Sequence, residues 1–244
     1  MLDISRGLSE ADRFMRRGDW MQRPFRLATR LSRKKLGIVG LGRIGRAVAR
    51  RGQGFDMEIR YHNRRPVEGV EYRYMDDLKA LARWSDFLMI AVAGGADTQH
   101  LVSADVIAEL GAGGYLINVA RGSAVDGEAL TRALQSRAIA GAALDVFATE
   151  PCFPEELCAL ENVVLLPHIG TATHETRAAM GDSSSTTFIH SSTPGGSSHR
   201  CRKQPMQDRR QAEPTAQAHR CGGCCRRCQP ITGQSLRAWS VSPP

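Results

Sequence analysis

Three side chains in the second half of this sequence have the types that proton transfer beside a bound carboxylate would need. Each follows an apolar run: Arg121 after YLINVA, Glu150 soon after AALDVF, and His168 after VVLLP. A guanidinium fits a planar carboxylate through two parallel hydrogen bonds. An imidazolium can give up a proton near neutral pH, and a neighbouring carboxylate stabilises its charged form. Singly, each has a plainer explanation, since a histidine closing a buried strand more often serves structure, and Glu150 before Pro151 can be a loop acid.

A second group of residues could hold an anion. Gly40, Gly42 and Gly45 lie in GLGRIG, directly after the apolar LGIV and at the opening of RIGRAVARR. In a strand-to-helix context the first glycine makes the tight turn and the second lets backbone approach a pyrophosphate. The third lets the helix pack on the strand while its N–H groups face the anion. The next strand ends in His62, Asn63, Arg64, Arg65 and Pro66, where a site for NAD would normally offer an acid to the ribose hydroxyls. Asn63 can donate to a 2′-phosphate and Arg64 and Arg65 can pair with it, so NADP is expected over NAD. The alternative is that Arg64 and Arg65 are solvated loop charges.

The elements that must position these groups alternate. Apolar runs at 36–40, 57–62, 87–93, 115–120, 140–147 and 162–167 are separated by helical segments such as 43–51, 103–110 and 126–136. Strands apolar at successive positions are buried on both faces, which predicts a doubly wound α/β fold with a parallel sheet between helices. Ahead of them, residues 8–20 place Leu8, Ala11, Phe14 and Met15 on one stripe, predicting a single amphipathic helix stopped at Gly18.

The formal charge of +8 is concentrated at one end of the chain. Residues 182–244 hold nine Arg and Lys against three Asp and Glu, which leaves 24 against 22 for residues 1–181. The first 181 residues are therefore nearly neutral, and a nucleic-acid partner is not expected. No run of eighteen apolar residues and no leader-like N-terminus occur, so the protein is expected to be cytoplasmic, without membrane association. Cys152 and Cys158 are read as buried, inert thiols. From about Asp182 the sequence turns to Ser, Thr, Arg, Gln, Cys and Pro without periodicity, which predicts a disordered basic tail. Its Cys221, Cys224, Cys225 and Cys228, with His219 close by, form two abutting C-x-x-C pairs too crowded for four ligands to converge, so no metal site is expected.

Taken together, NVARGSAVDGEAL (118–130), GAALDVFATEP (141–151), PHIGTATHETR (167–177) and VGLGRIGRAV (39–48) resemble the D-isomer-specific 2-hydroxyacid dehydrogenase family, in the family's order, from about Leu8 to Gly181. The resemblance implies that Arg121 binds the substrate carboxylate and polarises its carbonyl. It makes His168 the acid/base group with Glu150 as its partner, and sets Asp145 beside the nicotinamide carboxamide. Contacts to the dinucleotide are further implied for Arg43, Ile44, Val92, Thr98, Val119, His168 and Gly170. The Asn-Arg-Arg strand end and the paired glycines of AVAGGADT (91–98) resemble the NADP-using glyoxylate and hydroxypyruvate reductases, with NAD as the alternative cofactor, a small 2-keto acid as substrate and a homodimer as the assembly.

Against the family's pattern, the front section that forms most of a substrate domain has no counterpart here, and ETRAAMGD runs into SSSTTF where an amphipathic helix is expected. If Ser183–Phe188 is encoded TCG TCG TCG ACA ACC TTC, one additional C ahead of it restores Leu-Val-Val-Asp-Asn-Leu. A frameshift near codon 182 is therefore expected. The division is residues 1–30 as helix and linker, 31–181 as an NAD(P)-binding Rossmann domain and 182–244 as the tail. The competing expectation is a truncated dinucleotide-binding protein without turnover.

Overall fold

A computed structural model describes residues 1–180. The disorder, cysteine and frameshift expectations for residues 182–244 lie outside the described residues.

Seven strands form one sheet in the order β3-β2-β1-β4-β5-β6-β7. They are β1 (Lys35–Val39), β2 (Glu58–His62), β3 (Arg73–Tyr74), β4 (Phe87–Ile90), β5 (Tyr115–Asn118), β6 (Gly141–Leu144) and β7 (Val163–Leu165), and every pairing is parallel. Parallel neighbours need crossovers, supplied by α3 (Arg43–Gln53), α4 (Leu78–Trp84), α5 (Ala104–Leu110) and α6 (Gly127–Gln135), which follow α1 (Leu2–Arg6) and α2 (Leu8–Arg16) in the chain. Successive strand residues point to opposite faces. Val39, Leu88, Ile90 and Leu116 join Leu81, Ile107, Leu130 and Leu134 on one side. Ile38, Phe87, Met89 and Ile117 join Ala49, Ile59 and Tyr61 on the other. The doubly wound α/β architecture expected from the unbroken apolar runs is present.

Register aligns the strand ends. His62 pairs with Val39, Val39 with Ile90, Ile90 with Asn118, Asn118 with Leu144 and Leu144 with Leu165. One row therefore carries the last residue of six strands. Each of the chemistry-bearing segments singled out in the sequence leaves the sheet just beyond this row, at the edge where doubly wound folds bind ligands.

Three expectations are corrected. The single helix expected over 8–20 is shorter: α2 ends at Arg16, Gly18 takes a left-handed φ of 75° and a 3-10 turn, Asp19–Met21, follows, while α1 precedes α2 across Gly7, whose φ is 64°. The stripe does not pack as one face: Phe14 is 4% exposed, whereas Leu8 and Met15 are each 53% exposed. The thiols are not both buried, since Cys158 is exposed and Cys152 partly so. Cys158 lies in the turn Glu155–Ala159, which buries Leu157 instead. The residues ahead of β1 also fold back on the sheet: Thr29 Oγ1 lies 2.9 Å from the Tyr115 hydroxyl, and Ile4 is buried against Gly141.

Candidate active site

The anion-binding end is built from β1 and α3. Helices α4 and α6 begin with side-chain caps, Asp77 accepting from Lys79 N and Asp126 from Ala129 N, each at 2.9 Å. The N-cap of helix α3 is Gly42, which has no side chain to cap with, so no side chain meets the N–H groups of the first turn, which also lack an intrahelical acceptor. The space where a Gly42 side chain would stand is open, while a Cβ on Gly45 would meet the Gly40 carbonyl oxygen at 2.2 Å. Close packing behind and open space in front leave room for a phosphate over the N-terminus of α3, flanked by Arg43 and Ile44. These residues fit a dinucleotide.

Beyond Gly42 a groove of about 930 Å³ runs between the segment 62–65 after β2 and the segment 91–98 after β4. Asn63 Oδ1 accepts the Leu41 N–H at 2.8 Å, which fixes the amide and leaves its NH₂ as a donor. Arg65 lines the same groove, as do Val92 and Thr98. The Thr98 hydroxyl donates within its own loop, to the carbonyls of Ala93 at 3.0 Å and Gly95 at 3.1 Å. Arg64 is exposed, and its Nη1 lies 3.2 Å from Asp97 Oδ2 on the opposite lip.

The second centre gathers Arg121, Glu150 and His168. Glu150 Oε2 lies 2.7 Å from His168 Nδ1, and Glu150 Oε1 accepts the Phe147 N–H at 3.0 Å. With Nδ1 turned to the carboxylate, Nε2 is the ring atom left for chemistry. The Glu150 carboxyl is held below its ordinary value of 4.5, first by the hydrogen bond with His168, then by that from the Phe147 N–H, with a smaller contribution from the nearby Arg121 guanidinium.

His168 itself takes a left-handed φ of 54°, uncommon for a non-glycine residue. Asp145, only 8% exposed, holds the chain that follows: Oδ1 accepts the Ile169 N–H at 2.8 Å and Oδ2 the Gly170 N–H at 2.9 Å. The residue expected to border nicotinamide thus also shapes the histidine loop. Arg121 is aimed in two ways. Its stem runs across Gly94, where a Cβ would meet Cγ at 2.7 Å, and Gly122 packs so closely on the Phe147–Ala148 backbone that a Cβ would fall 1.9 Å from the Phe147 carbonyl carbon.

Sequence reasoning missed Asn118. This side chain, 1% exposed at the end of β5, donates to the Arg121 carbonyl and accepts the Ala120 N–H, each at 3.0 Å, and so locks the turn that delivers Arg121 past Val119. One polar residue within the apolar YLINVA was the available signal.

A family model described as "D-isomer specific 2-hydroxyacid dehydrogenase, NAD binding domain" matches residues 1–170. A glyoxylate/hydroxypyruvate reductase A of Arabidopsis thaliana is 48% identical over 182 residues, covering 75% of this chain and 58% of the relative. A hydroxyphenylpyruvate reductase of Plectranthus scutellarioides is 45% identical over the same shares. Among solved structures, an NADPH-dependent glyoxylate/hydroxypyruvate reductase from Sinorhizobium meliloti, in complex with NADP and malonate, superposes with a TM-score of 0.72 at 46% identity, covering 74% of this chain and 57% of the other. The chain thus spans a little over half the length of the relatives it matches.

Proposed function

The chain belongs to the D-isomer specific 2-hydroxyacid dehydrogenase family, and on that premise we propose that it serves as the dinucleotide-binding and proton-transfer half of an NADP(H)-dependent reductase of small 2-keto acids, glyoxylate or hydroxypyruvate among them. The observation that carries the reading is the 2.7 Å contact between His168 and Glu150 beside Arg121, on the same sheet edge as the groove over α3. The bound dinucleotide supplies the hydride. The residues of this chain then have three tasks. Arg121 holds the substrate carboxylate as a fork and draws electron density from the adjacent carbonyl. His168, its Nδ1–H donated to Glu150, gives the proton on Nε2 to the carbonyl oxygen. Asp145 keeps the histidine loop in place and would border a bound nicotinamide with Val119 and Gly170.

NADP is favoured over NAD because Asn63, Arg64 and Arg65 offer donors where an acid would accept from ribose. In this reading residues 31–181 form the nucleotide-binding unit and residues 1–30 an arm. Exposed Trp20, Met21 and Leu27, at 65%, 93% and 97%, support a homodimer through that arm. Among the described residues no helix is long and apolar enough to cross a membrane.

The test follows loss of NADPH absorbance with glyoxylate and with hydroxypyruvate, and turnover with either supports the proposal. A second reading, dinucleotide binding without turnover, is favoured by the exposure of the pair, 46% for the His168 side chain and 35% for Glu150, since electrostatic catalysis gains from exclusion of water. Saturable NADPH binding with neither substrate turned over would favour that reading.

A further inference from the structure

The dinucleotide groove carries a carboxylate that no part of the proposed chemistry uses. Asp97 sits in the short turn Ala96–Thr98 after β4, held by the two hydrogen bonds of the Thr98 hydroxyl, and its Oδ2 is 3.2 Å from Arg64 Nη1 across the groove. The two residues lie 33 positions apart and reach each other only because β2 and β4 both flank β1. Their side chains are 79% and 89% exposed, so the pair is strongly solvated and weakly held.

We propose that Asp97 is a specificity-determining residue that competes with the 2′-phosphate of NADPH for the Arg64 guanidinium, lowering NADPH affinity while leaving NADH affinity unchanged. The inference rests on the reading of Arg64 as a 2′-phosphate ligand. A phosphate monoester carries up to two negative charges near neutral pH. Seated on Arg64, it comes within a few ångströms of a carboxylate already bound to the same group, and both the exchange of partners and the repulsion between the anions oppose it. A 2′-hydroxyl carries no charge and meets neither cost. The acid that the end of β2 lacks is thus present on the facing lip, where it restrains the preference set by Asn63, Arg64 and Arg65.

The test measures Kd for NADPH and NADH by calorimetry on the full chain and on four variants: Asp97→Asn, Asp105→Asn, Arg64→Ala, and Asp97→Asn combined with Arg64→Ala, the last read against Arg64→Ala. Asp105 pairs with Lys79 and lies outside the groove lining, so its variant controls for loss of one negative charge. Expected is NADPH binding tightened about two- to fivefold by Asp97→Asn at low salt, the range of a surface ion pair. NADH should stay within about twofold, and the gain should shrink at high salt and vanish when Arg64 is also removed. A parent that prefers NADPH but is unmoved or weakened by Asp97→Asn would overturn the proposal alone. An equal gain from Asp105→Asn would also overturn it, by assigning the effect to net charge. Equal NADPH and NADH affinities in the parent would overturn the cofactor reading and this proposal with it.

Discussion

At the scale of single residues the hydrogen bond between His168 and Glu150 sets a testable pH dependence. Because the Glu150 carboxyl is held below its ordinary 4.5 by that bond, the pair's contribution to stability is complete above the ordinary carboxylate range and is lost as pH falls through the depressed value. Denaturation of the parent and of Glu150→Gln should therefore differ above the carboxylate range, and the difference should close as pH falls through it. A difference that grew on acidification would mean that the carboxylate is not the partner of His168. On the cofactor side, Arg64→Ala is expected to weaken NADPH binding by about 1 to 3 kcal/mol and to leave NADH nearly untouched, the loss typical of a charge-assisted hydrogen bond. Parallel titrations of both cofactors measure this.

At the scale of elements the site depends on how closely two loops approach. Gly122 packs directly on the Phe147–Ala148 backbone, so Gly122→Ala must separate the segment carrying Arg121 from the segment carrying Glu150. Overpacking of this kind costs about 1 to 3 kcal/mol. Chemical denaturation should show the loss as a lowered midpoint. An unchanged midpoint would mean that the loops yield without strain. The same distinction explains what was legible in the sequence. Strands recur as apolar runs because a doubly covered sheet leaves them no polar face, and GLGRIG announces itself because only glycine suits positions 40 and 45, so close to a neighbouring backbone. The two-residue strand β3, with an exposed Arg73 and a half-buried Tyr74, carries no such run. The N-terminal stripe misled because Leu8 and Met15 are apolar without being buried in this chain. The histidine, glutamate and arginine could be read by type, but that Asn118 and Asp145 fix the turns around them depends on hydrogen bonds between residues with no sequence periodicity.

At the scale of the whole molecule, a ligand that binds only the folded chain raises its stability by about 2.7 kcal/mol at a hundredfold excess over Kd. NADPH should accordingly raise the melting temperature well above that reached with NADH at equal concentration, and equal shifts would count against the phosphate reading. The pairing of β1 with β4 bears on when that stabilisation can arise. Val39 meets Ile90 only after the chain has passed through α3, β2, β3 and α4, and both lips of the groove stand on strands that flank β1. Such non-local pairings are slow to form, because a long loop must close before they return any free energy. The groove is then among the last features to become competent during folding, and a ligand cannot grip a transition state that has yet to assemble it. NADPH should leave the refolding rate of this unit nearly unchanged and slow its unfolding by almost the whole equilibrium gain. Stopped-flow traces with and without the dinucleotide would reveal faster refolding if the β1–β4 junction formed early.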